Sequence, residues 1–150
     1  MSENIIERYL SDIGGIHNTG AHVAETSFYP ALERLLTDIG STLTPKVRCV
    51  INLKNSGGGI PDGGLFTADQ FRHHGSEQFV AGDSLKSPPP ARGVIEAKAP
   101  HEDVNAVAAT EQVRRYWEHY RVVLVTNFRA FVLIGSNPAG LPCMLEAFSL

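Results

Sequence analysis

Gly93-Val94-Ile95-Glu96-Ala97-Lys98-Ala99-Pro100 is the stretch that decides the fold class of this 150-residue chain. Val94, Ile95 and Ala97 predict a short strand, and Pro100 ends it because proline has no N–H to give to a ladder. Asp103 is placed to cap a helix, and residues 103–119 read as one helix with Arg114 and Glu118 paired on its outer face. Arg121-Val-Val-Leu-Val-Thr126 follows, a nearly all-apolar run of the kind a strand buried on both faces requires.

Upstream, Ile5, Ile6, Tyr9, Leu10 and Ile13 recur at helical spacing, and Gly14-Gly15 is expected to end that helix. Leu32, Leu35, Leu36 and Ile39 form the stripe of a second helix that Gly40 closes, with Pro30 tolerated in its first turn. Lys46–Leu53 predicts a strand, Ser56–Gly59 a turn, and Ile60–Phe66 a second short strand. Residues 67–91 are polar, end in Ser87-Pro88-Pro89-Pro90, and read as a surface loop or insertion. Downstream, Asn127-Phe128-Arg129 turns the chain into a strand at Ala130–Ile134, Gly135–Gly140 is a loop, and Met144–Leu150 starts another strand. The order is two helices, three strands, one helix and three strands. It predicts one α/β domain over residues 1–150, a mixed central sheet flanked by helices. The chain stops inside an apolar strand, so it is expected to be an N-terminal fragment of a longer protein.

Composition narrows the function. Hydrophobic residues make up 43% and charged residues 19%, which fits a folded globular domain. Thirteen Lys and Arg against sixteen Asp and Glu leave a charge of −3, which excludes a histone-like basic binder. Any nucleic-acid contact must then come from a local patch. Cys49 and Cys143 form neither a CxxC pair nor a disulfide framework and read as buried thiols of a reducing compartment, so the expected location is cytoplasmic. No apolar run approaches the roughly 20 residues of a membrane span, and no signal peptide opens the chain.

Glu96 and Lys98 flank Ala97 and so share one face of their strand. Asp62 follows Pro61 on a strand expected to lie alongside. Two carboxylates converging beside a lysine make a hard oxygen site for Mg²⁺, with the lysine free to orient a water and the metal to polarise a phosphoryl oxygen. Plainer readings stand beside this one. Glu96 and Lys98 could be a solvent-facing edge pair, and Asp62 the aspartate of a Pro-Asp-Gly turn. Gly57-Gly-Gly59 lacks the Lys-Ser/Thr and the helix of a phosphate loop, and His73, His74 and His101 have no metal-ligand spacing with cysteine.

Pro61-Asp62 followed by Glu96-Ala97-Lys98 resembles the signature of the PD-(D/E)xK nuclease superfamily. Gln112-Val-Arg-Arg-Tyr116, in the next helix, looks like the QxxxY element that follows ExK in restriction-enzyme motor subunits and RecB-like nucleases. Glu25–Leu32, Gly59–Phe66, Arg92–Lys98 and Val123–Asn127 together resemble the N-terminal region of single-polypeptide restriction–modification proteins, which join a nuclease to an adenine-N6 methyltransferase. The resemblance implies a restriction-endonuclease-like core acting on double-stranded DNA with Mg²⁺, for which Mn²⁺ would substitute. It implies Asp62, Glu96, the Ala97 carbonyl and an acid on an early helix, Glu25, as metal ligands, and Lys98 as the catalytic lysine. Gln112 and Tyr116 would support the ligands or contact DNA; as plain helix-packing residues they would do neither. Glu25 could equally be a solvated surface acid. Methyltransferase and target-recognition domains would be partners in the parent chain. The alternative is a catalytically silent nuclease-like module that binds nucleic acid or a partner protein.

Overall fold

The computed structural model describes residues 4–19, 24–51, 59–72 and 89–150. Its elements are α1 (Ile5–His17), a 3-10 turn (Glu25–Phe28) running into α2 (Tyr29–Gly40), β1 (Val47–Ile51), β2 (Gly63–Thr67), α3 (Ala68–Arg72) and β3 (Val94–Ala97). They continue with α4 (Val104–Ala108), α5 (Glu111–Tyr120), β4 (Val123–Thr126), β5 (Ala130–Ser136) and β6 (Pro142–Ser149). The six strands form one mixed sheet in the order β1-β2-β3-β4-β5-β6. Only β3 and β4 pair in parallel, joined through α4 and α5; every other neighbour is antiparallel. The expected α/β class, a mixed sheet flanked by helices, is what the chain adopts.

Alternation along β3 and β4 sends residues to two cores. Ile95, Ala97 and Leu124 pack with Tyr9, Phe28, Leu32 and Phe128 beneath α1 and α2. Val94, Val123 and Val125 pack with Val113, Tyr116 and Trp117 beneath α4 and α5. A strand buried from both sides is therefore apolar at nearly every position, as β4 is. Ion pairs from Arg8 to Asp38 and from Arg34 to Asp12 tie α1 to α2. No helix among the described residues is long and apolar enough to cross a membrane.

The structure corrects several sequence expectations. Gly14-Gly15 does not end α1, which runs on to His17 and is capped at Asn18. Each glycine costs about 1 kcal/mol in a helix, and the packing of Ile13 and Ile16 on the core outweighs that. The single helix expected over 103–119 is two. Asp103 caps α4, and Thr110 caps α5 by accepting from the Val113 N–H, while its own hydroxyl donates to the Val107 carbonyl. Such a threonine offers the backbone an alternative to an unbroken helix. Asp62 lies just before β2 rather than within it.

The loop expected at 67–91 opens with α3. Gln70 then staples its two ends: its Oε1 accepts from the N–H groups of Thr67 and Ala91, and its Nε2 donates to the Pro89 carbonyl. The predicted turn at 56–58, Lys54 and the His73-His74 pair lie outside the described residues. Cys49 is buried, but Cys143 on β6 is only half-buried. Beyond it, β6 leaves Met144, Leu145 and Phe148 exposed, although Phe148 stacks on Phe131 at 5.1 Å.

Two glycines in helices should respond oppositely to the same change. A Cβ on Gly40 would overlap the Val47 carbonyl oxygen, whereas one on Gly14 meets nothing within 4 Å. Gly40→Ala should destabilise by about 1–3 kcal/mol and Gly14→Ala should stabilise by about 0.5–1 kcal/mol, measured by urea unfolding.

Candidate active site

The site lies where the β2–β3 ladder runs out. Gly63 pairs with Ile95 and Gly64 with Val94, so Asp62 stands beside Glu96 one step beyond the last pair. The Asp62 N–H donates to the Ile95 carbonyl at 3.0 Å. Its side chain then supplies what the ending strand lacks: Asp62 Oδ2 accepts from the Ala97 N–H at 2.8 Å. One carboxylate oxygen is thus held by the backbone. On the far side, the Lys98 N–H donates to the Thr126 carbonyl at 2.9 Å, so β4 fixes the chain through the whole Glu96-Ala97-Lys98 stretch. These groups sit at the carboxyl end of the parallel pair, the place where open α/β sheets hold ligands.

Glu96 is 2% exposed. It is therefore no solvent-facing edge residue, and its charge needs compensation. Lys98 Nζ provides it, 2.8 Å from Glu96 Oε1, on a side chain still 32% exposed. Burial pushes the Glu96 pKa up; the Lys98 hydrogen bond opposes that, and the nearby charges of Asp62 and Glu25 add to the rise. Lys98 is raised in turn, chiefly by its hydrogen bond to Glu96, so it is an ammonium at neutral pH.

Two aromatic hydroxyls flank the carboxylates. Tyr116 OH donates to the Ile60 carbonyl at 2.9 Å and accepts from Gln112 Nε2 at 2.9 Å. Its ring also lies against Gly59, whose φ of 102° is one that glycine adopts freely and where a Cβ would approach the ring to 3.0 Å. Tyr116 thus grips the backbone immediately before Pro61-Asp62. Gln112 reaches the site through Tyr116 and not by contact with Glu96. On the other face, Tyr29 OH donates to Glu25 Oε1 at 2.9 Å. Glu25 opens the 3-10 turn and comes close enough for its charge to act on both Glu96 and Lys98.

The structure therefore brings Asp62, Glu96 and Lys98 together, with Glu25 at their margin and Gln112 behind Tyr116. Sequence reasoning assigned nothing to Tyr29 or to the Ile60 carbonyl. The available signal was Glu25 and Tyr29 at i,i+4, a spacing that puts two side chains on one helical face.

No group of three or more His, Cys, Asp or Glu side chains among the described residues is spaced to hold a metal ion. The oxygens on offer are those of Asp62 and Glu96 and the Ala97 carbonyl. That donor set is too small for a closed cage, but it suits Mg²⁺, which takes one or two carboxylates and keeps several waters.

No family model matches the chain, and no curated protein matches it. Among solved structures it resembles a chain of the cryoEM structure of a DrdV–DNA complex, with a TM-score of 0.65 and 14% identity. The match covers 97% of this chain and 12% of that one. Likeness at this identity is likeness of fold, and it extends over nearly the whole chain.

The raised pKa of Glu96 fixes the sign of a pH effect. A carboxyl that holds its proton better folded than unfolded contributes most at low pH, and that contribution is lost as pH rises from 4.5, its ordinary value, through the folded value. Cation-free Glu96→Gln should therefore melt at or above the wild-type temperature at pH 7. The difference should shrink toward pH 4.5, as followed by circular dichroism.

Proposed function

We propose that this chain is the endonuclease domain of a restriction–modification protein, hydrolysing phosphodiester bonds of double-stranded DNA with Mg²⁺ or Mn²⁺. The observation that carries this reading is the buried Glu96 carboxylate, paired with Lys98 Nζ at 2.8 Å and set beside Asp62 at the end of a sheet. A second carboxylate beside that pair is what a hydrolytic cation site requires.

Asp62, Glu96 and the Ala97 carbonyl would hold the cation, which when bound polarises a phosphoryl oxygen and acidifies a bound water. Lys98 stays charged, so its work is to donate: it orients a water for attack and offsets negative charge gathering on the phosphate. It does not serve as a general base. Asp62 keeps its position because one of its oxygens is bonded to the Ala97 N–H, and Tyr116 steadies the residues that lead into it. The DNA in the DrdV complex supports the substrate class, and the 12% share of that chain supports a module within a longer chain, whose other domains would be those of recognition and methyl transfer. With a charge of −3, this domain would draw its DNA affinity largely from such partners. The cytoplasm is its place, where DNA is at hand and Cys49 and Cys143 remain thiols.

The small donor set favours one second reading, a silent nuclease-like module that binds nucleic acid or a partner protein. Plasmid nicking with Mg²⁺ or Mn²⁺ separates the two. Wild type should nick, and Lys98→Ala and Asp62→Ala should each lose about 10²–10³-fold while melting as cooperatively as wild type. Equal nicking by Lys98→Ala would refute the hydrolytic role.

A further inference from the structure

The hydroxyl of Tyr29 is a buried polar group that the proposed hydrolysis leaves without a task. Tyr29 opens α2 and is 8% exposed. Its ring packs 6.1 Å from that of Phe128, in the core that also holds Phe28 and Leu32. A tyrosine side chain has two torsions, and packing fixes both, so the core determines where the hydroxyl points. It points at Glu25, donating to Oε1 at 2.9 Å, with the charge of Asp62 also acting on it. A phenol carries one proton, and here it lies in the hydrogen bond to Glu25. Burial and the two neighbouring anions raise its pKa, and it keeps that proton at neutral pH.

Charge explains why such a group is needed. Glu25, Asp62 and Glu96 are three anions gathered near one cation, Lys98. Asp62 is held by the Ala97 N–H and Glu96 by Lys98. Glu25 sits on a short 3-10 turn, and the Tyr29 hydroxyl is its side-chain partner among the described residues. Without that bond, repulsion would turn Glu25 out to water.

We propose that Tyr29 is a positioning residue that holds Glu25 at the Asp62–Glu96 site, where Glu25 strengthens the hold on a divalent cation through the ion's water shell. The water shell enters because the three acids do not close into a direct ligand group. The proposal rests on the metal-dependent reading above. It adds to that reading a residue and a turn from the opposite face of the sheet.

Tyr29→Phe keeps the ring on Phe128 and removes only the hydroxyl. Mn²⁺ binding to the full chain, followed by electron paramagnetic resonance without DNA, should weaken about 10-fold in Tyr29→Phe and in Glu25→Gln. The double variant should be no weaker than either single one, because both changes remove the same contribution. Wild-type affinity in Tyr29→Phe, or losses that multiply in the double variant, would overturn the proposal. A crystal structure of cation-free Tyr29→Phe should show the Glu25 carboxylate turned away from Asp62, and an unmoved Glu25 would also overturn it. If wild type binds no Mn²⁺, the metal reading fails, and that crystal structure decides the positioning role alone.

Discussion

Everything at this site depends on accommodating the Glu96 carboxylate at the end of a strand that is buried on both faces. The position is 2% exposed, and desolvating an anion there is costly unless it is paired and bonded. Lys98 meets the need from two residues further along the chain, just past the end of β3, and its reach toward water leaves the pair open on one side. Loss of Lys98 would leave Glu96 without its counter-charge and favour its protonated form, whereas Lys98, which still reaches water, tolerates the loss of Glu96.

The layers of the fold converge on that point from opposite faces. The α1–α2 layer contributes Glu25 and Tyr29, anchored through Phe128. The α4–α5 layer contributes Tyr116 and, behind it, Gln112. Phe128 is itself a fixed point: its φ of 72° is in the left-handed region, and its carbonyl accepts from Tyr9 OH at 2.7 Å. The β4–β5 turn thereby locks onto α1, and Tyr29 rests on that lock. Positioning of the acids is thus supported by core packing, which is stiffer than a surface loop.

The far edge of the sheet contrasts with this centre. β6 pairs fully with β5 yet keeps Met144, Leu145 and Phe148 largely in solvent. Its one irregularity, between Leu133 and Ile134, is a bulge of the kind that adds twist to an edge. Asp62, Glu96 and Lys98 gather instead at the parallel β3–β4 pair, the one place among the described strands where two strand ends point the same way.

Periodicity alone determined the class of the fold, the apolar β4, and the shared face of Glu96 and Lys98, because a strand's alternation of two is a local rule that needs no partner. The resemblance of Pro61-Asp62 and Glu96-Ala97-Lys98 to a nuclease signature was also legible, residue by residue. Where α1 ends and where the helix after β3 breaks were not legible. Gly14-Gly15 and Thr110 are ambiguous locally, and only packing on Ile13, Ile16 and Val113 decides them. That Asp62 stands beside Glu96 follows from the register of β2 on β3, a long-range pairing across the described ends of the intervening segment. Tyr29 meets Glu25 because a ring buried against Phe128, nearly a hundred residues away in sequence, has one direction left for its hydroxyl. Local patterns specify which face a side chain takes; which groups then share a site is decided by packing, because only the folded core fixes distances between segments remote in the chain.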